Sequence, residues 1–168
     1  MPSNEKTRVQ RELRDQEEEG EMAAKNGPVI DVGESESITH PVNVRSSRMS
    51  SMIRYAESYM GTPYVWGGTT PEGFDCSGFT QHVYDHLVIR LARTSQEQYM
   101  EGMPVAESDL KPGDLVFFST YTYGASHVGI YIGNGRMIDS EASGVNIDNM
   151  TNSYWSQRYL GARRVVNN

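Results

Sequence analysis

The spacing of apolar residues changes from helical to alternating at Pro112-Gly-Asp114, and this change constrains the fold more than any other feature. Before it, apolar residues recur every three or four positions and predict two amphipathic helices: Met49, Met52, Ile53, Ala56 and Met60 in the first, and Cys76, Phe79, Val83 and Leu87 in the second. After it, short alternating runs predict strands within 115–118, 127–132, 137–138, 145–147 and 161–166. Helices followed by strands predict an α+β fold, in which the N-terminal helices pack on a central antiparallel sheet of five to six strands.

Residues 1–48 differ in composition from the rest of the chain. Charged residues come first, followed by a mixture of glycine, proline, serine and acidic residues with isolated valine and isoleucine. The segment lacks an apolar stripe that would pack a helix against a core. We therefore predict an N-terminal arm at 1–48, flexible or partly helical, followed by one domain at 49–168.

The bulk properties exclude several kinds of partner. The chain carries a formal net charge of -7, and an acidic surface repels phosphate backbones, so nucleic acid is not an expected partner. No run of about 18 apolar residues is present, so no membrane span or membrane partner is expected. The polar first residues also lack the apolar core of a secretory signal peptide. The chain is then an intracellular protein, a mature form, a fragment of a longer chain, or a part delivered by another assembly.

Cys76 is the single cysteine of the chain, so it forms no intramolecular disulfide and no thiolate zinc site. A lone cysteine is usually a small buried hydrophobe. Here it lies in Phe74-Asp-Cys-Ser-Gly78, at the predicted start of the second helix, where free backbone amides favour the thiolate and can hold an oxyanion. We expect the small residues Ser77 and Gly78 to leave room for a substrate. The sequence therefore favours a nucleophile at Cys76.

A cysteine nucleophile needs a base within hydrogen-bond reach, and the chain has four histidines. His82 and His86 follow Cys76 on the same predicted helix, about 9 Å and 15 Å along its axis, and cannot reach it. Their spacing of four would suit a metal ion, but no third ligand is evident, so we interpret both as surface residues. His40 lies in the predicted arm, which leaves His127 as the candidate base.

His127 opens a predicted strand and alternates out of phase with its aliphatic residues. Gly129, on the same face, is expected to leave space above the sheet. An exposed strand histidine would show the same pattern, and it is the elimination of the other three that favours His127.

A catalytic histidine also needs a partner for its second ring nitrogen, and Asp139 on the next predicted strand is the candidate. A two-residue turn would pair Ile130 with Asp139, whereas a three-residue loop at 133–135 pairs Ile130 with Ile138. The second register pairs apolar residues with each other, so we prefer it. It places Asp139 diagonally across from His127 on one face, about 7–8 Å apart by backbone and within side-chain reach. A solvated aspartate at a strand end remains the alternative.

Taken together, the motifs resemble the NlpC-type (NlpC/p-sixty) family of cysteine peptidases over nearly the whole predicted domain. Five motifs carry the resemblance in order: Gly61-Thr-Pro-Tyr-Val-Trp-Gly-Gly68, Phe74-Asp-Cys-Ser-Gly-Phe79, Arg93-Thr-Ser95 with Gln98, Leu110-Lys-Pro-Gly-Asp-Leu-Val-Phe-Phe118, and His127-Val-Gly-Ile-Tyr-Ile-Gly-Asn-Gly135. The resemblance implies a papain-like α+β fold and hydrolysis of peptidoglycan stem peptides, usually between γ-D-glutamate and the diamino acid. It implies no metal and no organic cofactor.

The resemblance also implies roles for individual residues. Cys76 matches the family nucleophile, His127 its base and Tyr64 a tyrosine near the oxyanion site. Asp75 and Ser77 match residues that line the pocket for the free N-terminus of the stem peptide. Further candidates for the substrate-binding cleft are Trp66 and Ser126. Asp139 departs from the family pattern, because the family usually has a histidine at that position.

Two other functions remain open at this point. The same architecture serves amidases and acyltransferases, although a lipid acyltransferase should carry an apolar anchor. A non-catalytic module that binds the wall, or builds a phage tail or secretion assembly, would also keep the fold. For an enzyme we expect action at the cell wall, with the domain delivered by such an assembly or belonging to a longer secreted autolysin, and with the N-terminal arm as tether.

Overall fold

The computed structural model of the chain describes residues 43–166. Its first helix, α1 (Asn43–Glu57), buries Met49, Met52 and Ala56, in agreement with the helical spacing. Residues 1–42, which make up most of the predicted N-terminal arm, lie outside the described residues. The domain boundary after residue 48 therefore stays a prediction.

The start of α1 is tied to the rest of the domain by Arg45. Its guanidinium donates to the carboxylate of Asp114 at 3.1 Å and to the main-chain oxygen of Val166 at 2.6 Å. Asp114 also binds Arg164 at 2.8 Å. Arg45 therefore ties the start of α1 to Asp114 and to the C-terminal end of the domain.

Two short strands and two helices follow α1. The strands β1 (Thr69–Thr70) and β2 (Gly73–Phe74) form a small hairpin directly before helix α2 (Cys76–Asp85), and helix α3 (Ser95–Gln98) follows α2. Phe79 and Val83 of α2 are buried, as their helical stripe predicted. The sequence indicated α1 and α2 but not the β1–β2 hairpin.

Six strands form one antiparallel sheet in the order β3-β8-β4-β5-β6-β7. Their bounds are Met103–Val105 for β3, Leu115–Phe118 for β4, His127–Gly133 for β5, Arg136–Glu141 for β6, Gly144–Asn149 for β7 and Tyr159–Arg164 for β8. A 3-10 turn at Glu107–Asp109 precedes β4, and a short helix α4 (Ser153–Ser156) precedes β8. The predicted α+β class with N-terminal helices on an antiparallel sheet is confirmed.

The sheet separates two apolar clusters. On one face α1 and α2 cover the larger cluster, which includes Phe117, Val128, Ile130 and Ile138. On the other face α4 covers a smaller cluster that includes Phe118, Met137, Tyr154 and Trp155. Helix α4 was not predicted, since a single turn of helix leaves no detectable period in the sequence.

The β5–β6 hairpin decides whether His127 meets Asp139. Ile130 pairs with Ile138, so the preferred register is confirmed. The loop prediction was wrong, because Gly133 pairs with Arg136 across a two-residue turn and a β-bulge between Tyr131 and Gly133 takes up the extra residue. The turn residues Asn134 and Gly135 both have positive φ, 54° and 73°, as the tight turns that suit twisted hairpins require.

None of the helices within residues 43–166 is long and apolar enough to cross a lipid bilayer.

Candidate active site

Cys76 is the first residue of α2, as predicted. The side chain of Asp75 caps the helix and accepts a hydrogen bond from the backbone N–H of Gly78 at 2.6 Å. The thiol is buried, with 8% of the residue exposed, and its Sγ lies 3.8 Å from the main-chain oxygen of Ser126. Cys76 therefore begins a helix, where backbone amides of the first turn can hold a developing oxyanion.

Gly78 serves packing rather than substrate access, which corrects the expectation from sequence. A Cβ atom on Gly78 would collide with the carbonyl oxygen of Gly68. The same carbonyl accepts a hydrogen bond from the N–H of Asp75 at 3.0 Å. The missing side chain therefore lets the loop before β1 lie directly against the start of the nucleophile helix.

His127 and Asp139 meet in a buried hydrogen bond. His127 Nε2 lies 2.7 Å from Asp139 Oδ2, and the two side chains are 7% and 0% exposed. A carboxylate accepts, so we assign the Nε2 proton to His127, which leaves Nδ1 as the ring nitrogen available to Cys76. The predicted contact between the two side chains is confirmed, and the alternative of a solvated Asp139 is excluded.

The space expected above Gly129 is occupied. A Cβ there would lie 2.6 Å from the sulfur of Met137 and 3.1 Å from the Cβ of Asp139. Gly129 therefore lets β6 side chains approach β5 closely, and this close approach brings Asp139 to His127.

Trp155 of α4 covers the histidine, a contact that sequence reasoning missed. Its ring centroid lies 5.0 Å from that of His127 at an interplanar angle of 30°, and the residue is 1% exposed. An indole over the ring keeps water away from the His127–Asp139 hydrogen bond, and a hydrogen bond is stronger where the local dielectric is low. The one sequence signal was Asn152, which caps α4 by accepting from the N–H of Trp155 at 3.0 Å.

One narrow pocket joins two of the three predicted catalytic side chains. Cys76, His127 and Tyr64 all line it, together with Tyr121 and Glu141. Burial raises the pKa of Tyr64, and the neighbouring Cys76 adds to the effect, so the phenol remains a hydrogen-bond donor at neutral pH. A donor beside a nucleophile suits the binding of an oxyanion.

The predicted pocket residues Asp75 and Ser77 are joined by Arg93, to which sequence reasoning assigned no role. Arg93 Nη2 donates to Asp75 Oδ2 at 2.7 Å and Nη1 to Asp75 Oδ1 at 3.2 Å. Nη1 also donates to Ser77 Oγ at 2.9 Å. The two-point pairing holds the plane of the carboxylate beside the nucleophile, and the motif Arg93-Thr-Ser95 was the available signal.

The same motif joins the nucleophile helix to the histidine strand. Ser95 Oγ donates to the main-chain oxygen of Ala125 at 2.6 Å, two residues before His127. The buried Gln98 donates to the main-chain oxygen of Ser77 at 3.2 Å and accepts from Thr80 Oγ1 at 2.8 Å. Helix α3 therefore sets the position of α2 relative to β5.

The last two predicted cleft residues lie at the margin. Trp66 is 65% exposed and packs edge-on against Tyr121, with ring centroids 5.3 Å apart, so it borders the pocket without lining it. The hydroxyl of Ser126 accepts from the N–H of Thr120 at 2.8 Å, and its main-chain oxygen is the group that faces Cys76.

His82 and His86 do not act together on a metal ion. His82 is half-buried and its Nε2 lies 3.1 Å from the hydroxyl of Tyr55 and 3.0 Å from that of Tyr59, so the prediction of a surface residue was wrong for it. His86 is exposed and stacks on Tyr55. Among residues 43–166 there is no group of three side chains suited to a metal ion.

The fold and the site geometry define a class: the chain has a papain-like α+β fold. A family comparison then assigns it, because the NlpC/P60 family matches residues 61–164, and the chain belongs to that family. An NlpC/P60 family protein of Bacillus cereus, solved by crystallography, superposes with a TM-score of 0.67 at 37% identity over 71% of this chain and 40% of the other. The resemblance drawn from the five motifs is confirmed.

Two curated relatives carry functional names. The murein DD-endopeptidase MepH of Escherichia coli is 42% identical over 134 residues, or 76% of this chain and 49% of the relative. The γ-DL-glutamyl hydrolase of Bacillus subtilis is 47% identical over 120 residues, or 69% of this chain and 29% of the relative. The chain spans less than half of the length of the curated relatives it matches.

Proposed function

We propose that this domain is a cell-wall hydrolase, a peptidoglycan endopeptidase that acts through Cys76 and His127. The observation that carries the proposal is the shared pocket, in which a cysteine at a helix N-terminus meets a histidine held by a buried carboxylate at 2.7 Å. A structural cysteine has no need of a histidine held in this way. Membership of a family whose curated relatives include a murein endopeptidase supports the same conclusion.

The proposed substrate is the peptidoglycan stem peptide, and the proposed bond joins γ-D-glutamate to the diamino acid. The family resemblance supports this bond, and so does the name of the γ-DL-glutamyl hydrolase relative. The name of MepH refers to a bond between two D residues instead. Identification of the digestion products therefore has to show which bond is cleaved.

The proposed reaction begins with attack of the Cys76 thiolate on the carbonyl carbon of the scissile bond. The oxyanion that forms is held by the amides at the start of α2 and by the hydroxyl of Tyr64. The His127 imidazolium then gives its Nδ1 proton to the leaving amine, and a thioester remains on Cys76. Water, deprotonated by His127, hydrolyses the thioester and restores the thiolate. No step draws on a metal ion or an organic cofactor.

Asp75 and Ser77 are the proposed binding residues for the free amino group of the stem peptide. Asp75 lies next to the nucleophile, its side chain is 15% exposed, and Arg93 holds its carboxylate in one plane. A carboxylate in that position suits an ammonium group one residue away from the scissile bond.

A second candidate function is a non-catalytic module that binds the wall or serves as a structural part of a phage tail or secretion assembly. It draws support from one observation, which is that Asp139 stands where the family usually has histidine. The two candidates differ in thiol reactivity, since a catalytic thiolate reacts faster with an alkylating probe than a free thiol does. In either case we propose action at the cell wall, with the N-terminal arm as tether to an assembly or to a longer chain.

The deciding experiment is digestion of purified peptidoglycan by the wild-type protein and by Cys76→Ala, with products identified by mass spectrometry. The exposed His86 lies outside the pocket, so His86→Gln is the matched control. We expect the wild type and His86→Gln to release stem peptides cut after D-glutamate and Cys76→Ala to release none. Digestion by Cys76→Ala at the wild-type rate would overturn the mechanism, and a different cut would overturn the bond.

A further inference from the structure

Behind the His127–Asp139 pair lies a second buried aspartate that the proposed reaction does not use. Asp148 of β7 is 0% exposed, as is Asp139 of β6. In the β6–β7 register Asp139 pairs with Asn146 and Met137 pairs with Asp148. Residues two apart on a strand share a face, so both carboxyl groups lie on the face that carries His127.

The β6–β7 register makes the two buried carboxyl groups diagonal neighbours, close enough for a hydrogen bond from Asp148 to act on Asp139. Such a bond needs a proton on one of them, because ionised carboxylates only accept. Asp139 Oδ2 already accepts the Nε2 proton of His127. Its other oxygen, Oδ1, is buried and receives no hydrogen bond from any N–H or hydroxyl in the described part of the chain. A protonated Asp148 is then the group that donates a hydrogen bond to Oδ1 of Asp139.

Charge repulsion supports a proton within the pair, and the acceptor role of Asp139 toward His127 assigns that proton to Asp148. Two adjacent buried carboxylates repel each other, so we expect the pair to share one proton. Burial raises the pKa of Asp139 well above its ordinary value of 3.8 and nearby Glu141 adds to this, whereas the hydrogen bond from Asp148 acts in the opposite direction. The ionisable groups around the Asp139 carboxyl are His127 on β5, Glu141 on β6 and Asp148 on β7, while α4 presents Trp155 against His127.

We propose that Asp148 is a positioning residue of the reaction: as a neutral carboxylic acid it donates to Asp139 and thereby keeps Asp139 the acceptor for His127. If Asp139 carried the shared proton toward the histidine, it would donate to Nε2. Neutral His127 would then carry its proton on Nδ1, the nitrogen left for Cys76, and could not accept the thiol proton. This inference rests on the proposed function and extends it to the group that sets the histidine tautomer.

Two variants test whether Asp148 acts through its hydrogen-bond donor or requires the carboxyl group itself. Asp148→Asn keeps a permanent N–H donor of almost the same shape, and Asp148→Leu fills the space with no donor. We expect Asp148→Asn to keep kcat/KM within a few-fold of the wild type. We expect Asp148→Leu to lower kcat at least about tenfold with little change in KM, because the base is in the wrong tautomer rather than misplaced for binding. The acidic limb of its pH profile should also move to higher pH.

The tautomer itself is measured without activity, by the ¹⁵N chemical shifts of His127 at neutral pH in a Cys76→Ala background, which has no thiolate to keep the imidazole charged. In that background the protein with Asp148 intact and Asp148→Asn should carry the proton on Nε2, and Asp148→Leu on Nδ1. A wild-type tautomer and pH profile in Asp148→Leu would overturn the proposal, as would equal loss of activity in a folded Asp148→Asn. If the tautomers follow expectation while no protein digests peptidoglycan, the proposed function fails and the role of Asp148 stands.

A third measurement needs no variant and decides the matter if Asp148→Leu does not fold. The ¹³C shifts of the two carboxyl carbons in the wild-type protein report their ionisation directly. We expect Asp148 to be protonated at pH 7 and Asp139 to be ionised. Two ionised carboxyls at pH 7, or a protonated Asp139 with an ionised Asp148, would overturn the proposal.

Discussion

Asp139 holds the Nε2 edge of His127 from the neighbouring strand, with 2.7 Å between Nε2 and Oδ2 and no exposure of the carboxylate. The contact depends on a β-bulge that shifts the hairpin register by one residue. Without this shift Asp139 would point to the opposite face of the sheet. The geometry of the proposed base is therefore set by the backbone of β5 and β6.

Replacing Asp139 tests this arrangement. Asp139→Leu removes the acceptor, so the imidazole loses both its orientation and the charge that stabilises imidazolium, and kcat should fall by about 10²-fold or more with KM little changed. Asp139→Asn keeps an acceptor oxygen and should retain more activity than the leucine variant. Steady-state kinetics on muropeptides measures both. Equal kcat in wild type and Asp139→Leu would contradict a role for this residue in the reaction.

Arg93 should matter for binding more than for stability. Its side chain is 38% exposed, so the ion pair with Asp75 is screened by solvent and contributes at most about 1 kcal/mol to the free energy of unfolding. Arg93→Ala frees the carboxylate of Asp75 to rotate and should raise KM several-fold with a small change in melting temperature. Arg93→Lys cannot make the two-point contact, so its KM should lie between those of the wild type and Arg93→Ala. A large fall in kcat with KM unchanged would show that Arg93 acts on the reaction instead.

The close packing of Gly68 against Gly78 predicts whether Gly78→Ala stabilises or destabilises the domain. Replacing glycine by alanine within a helix ordinarily raises the free energy of unfolding by about 1 kcal/mol. Here the added Cβ collides with the backbone carbonyl of Gly68, which cannot move without pulling the Asp75 cap with it. We expect the clash to outweigh the gain in helix propensity. Gly78→Ala should therefore lower the free energy of unfolding by about 1–3 kcal/mol in denaturant titration. Asp85→Ala, on the exposed end of the same helix, is the control and should change stability by about 0.5 kcal/mol or less.

His82 should make stability depend on pH. Burial lowers the pKa of His82 below its ordinary value of 6.5. The unfolded chain then takes up the proton first, so the contribution of His82 is fully present above pH 6.5 and is lost as the pH falls toward the lower folded-state pKa. Burial raises the pKa of Glu57 and of Asp139, which changes stability in the opposite sense, so total stability does not isolate the effect.

The measurement is therefore a difference between proteins. His82→Gln keeps a polar group for the hydroxyls of Tyr55 and Tyr59 but does not titrate, and melting temperatures of both proteins are compared between pH 7.5 and 5. We expect the stability of the wild type to fall relative to His82→Gln as pH falls. His86→Gln removes an exposed imidazole from the same helix and controls for its loss. A constant difference between wild type and His82→Gln across this range would contradict the prediction.

Sequence reasoning succeeded where a local pattern carries the information. The helical stripe that includes Phe79 and Val83 placed Cys76 at a helix start, since helical period depends on neighbours three and four residues away. Alternation along β5 and β6, with apolar residues matched to apolar, predicted the pairing of Ile130 with Ile138. The same reasoning misjudged the loop, because a bulge changes the residue count without changing the apolar pattern.

It failed where the information lies in contacts between distant segments. Arg93 reaches Asp75 from a loop beyond α2, Trp155 reaches His127 from a helix of a single turn, and Asp148 reaches Asp139 across a strand pair. Apart from the Arg93-Thr-Ser95 motif and the Asn152 cap, no spacing within the chain distinguishes these residues from other polar or aromatic ones. The role of Gly78 was also predicted wrongly. A glycine in the sequence suggests free space at its position, and only the tertiary structure shows that the backbone of Gly68 fills that space.

By itself the sequence determined the α+β class, the start of the nucleophile helix, the identity of the candidate base and the strand that carries its partner. These follow from periodicity and from the small number of cysteines and histidines, both of which are properties of the chain read in order. Tertiary structure alone decided which ring nitrogen meets Asp139, what covers that contact and which acid lies behind it. Those depend on burial and hydrogen-bond geometry between strands and helices far apart in sequence, and such contacts exist only once the sheet has formed and its two faces have been covered.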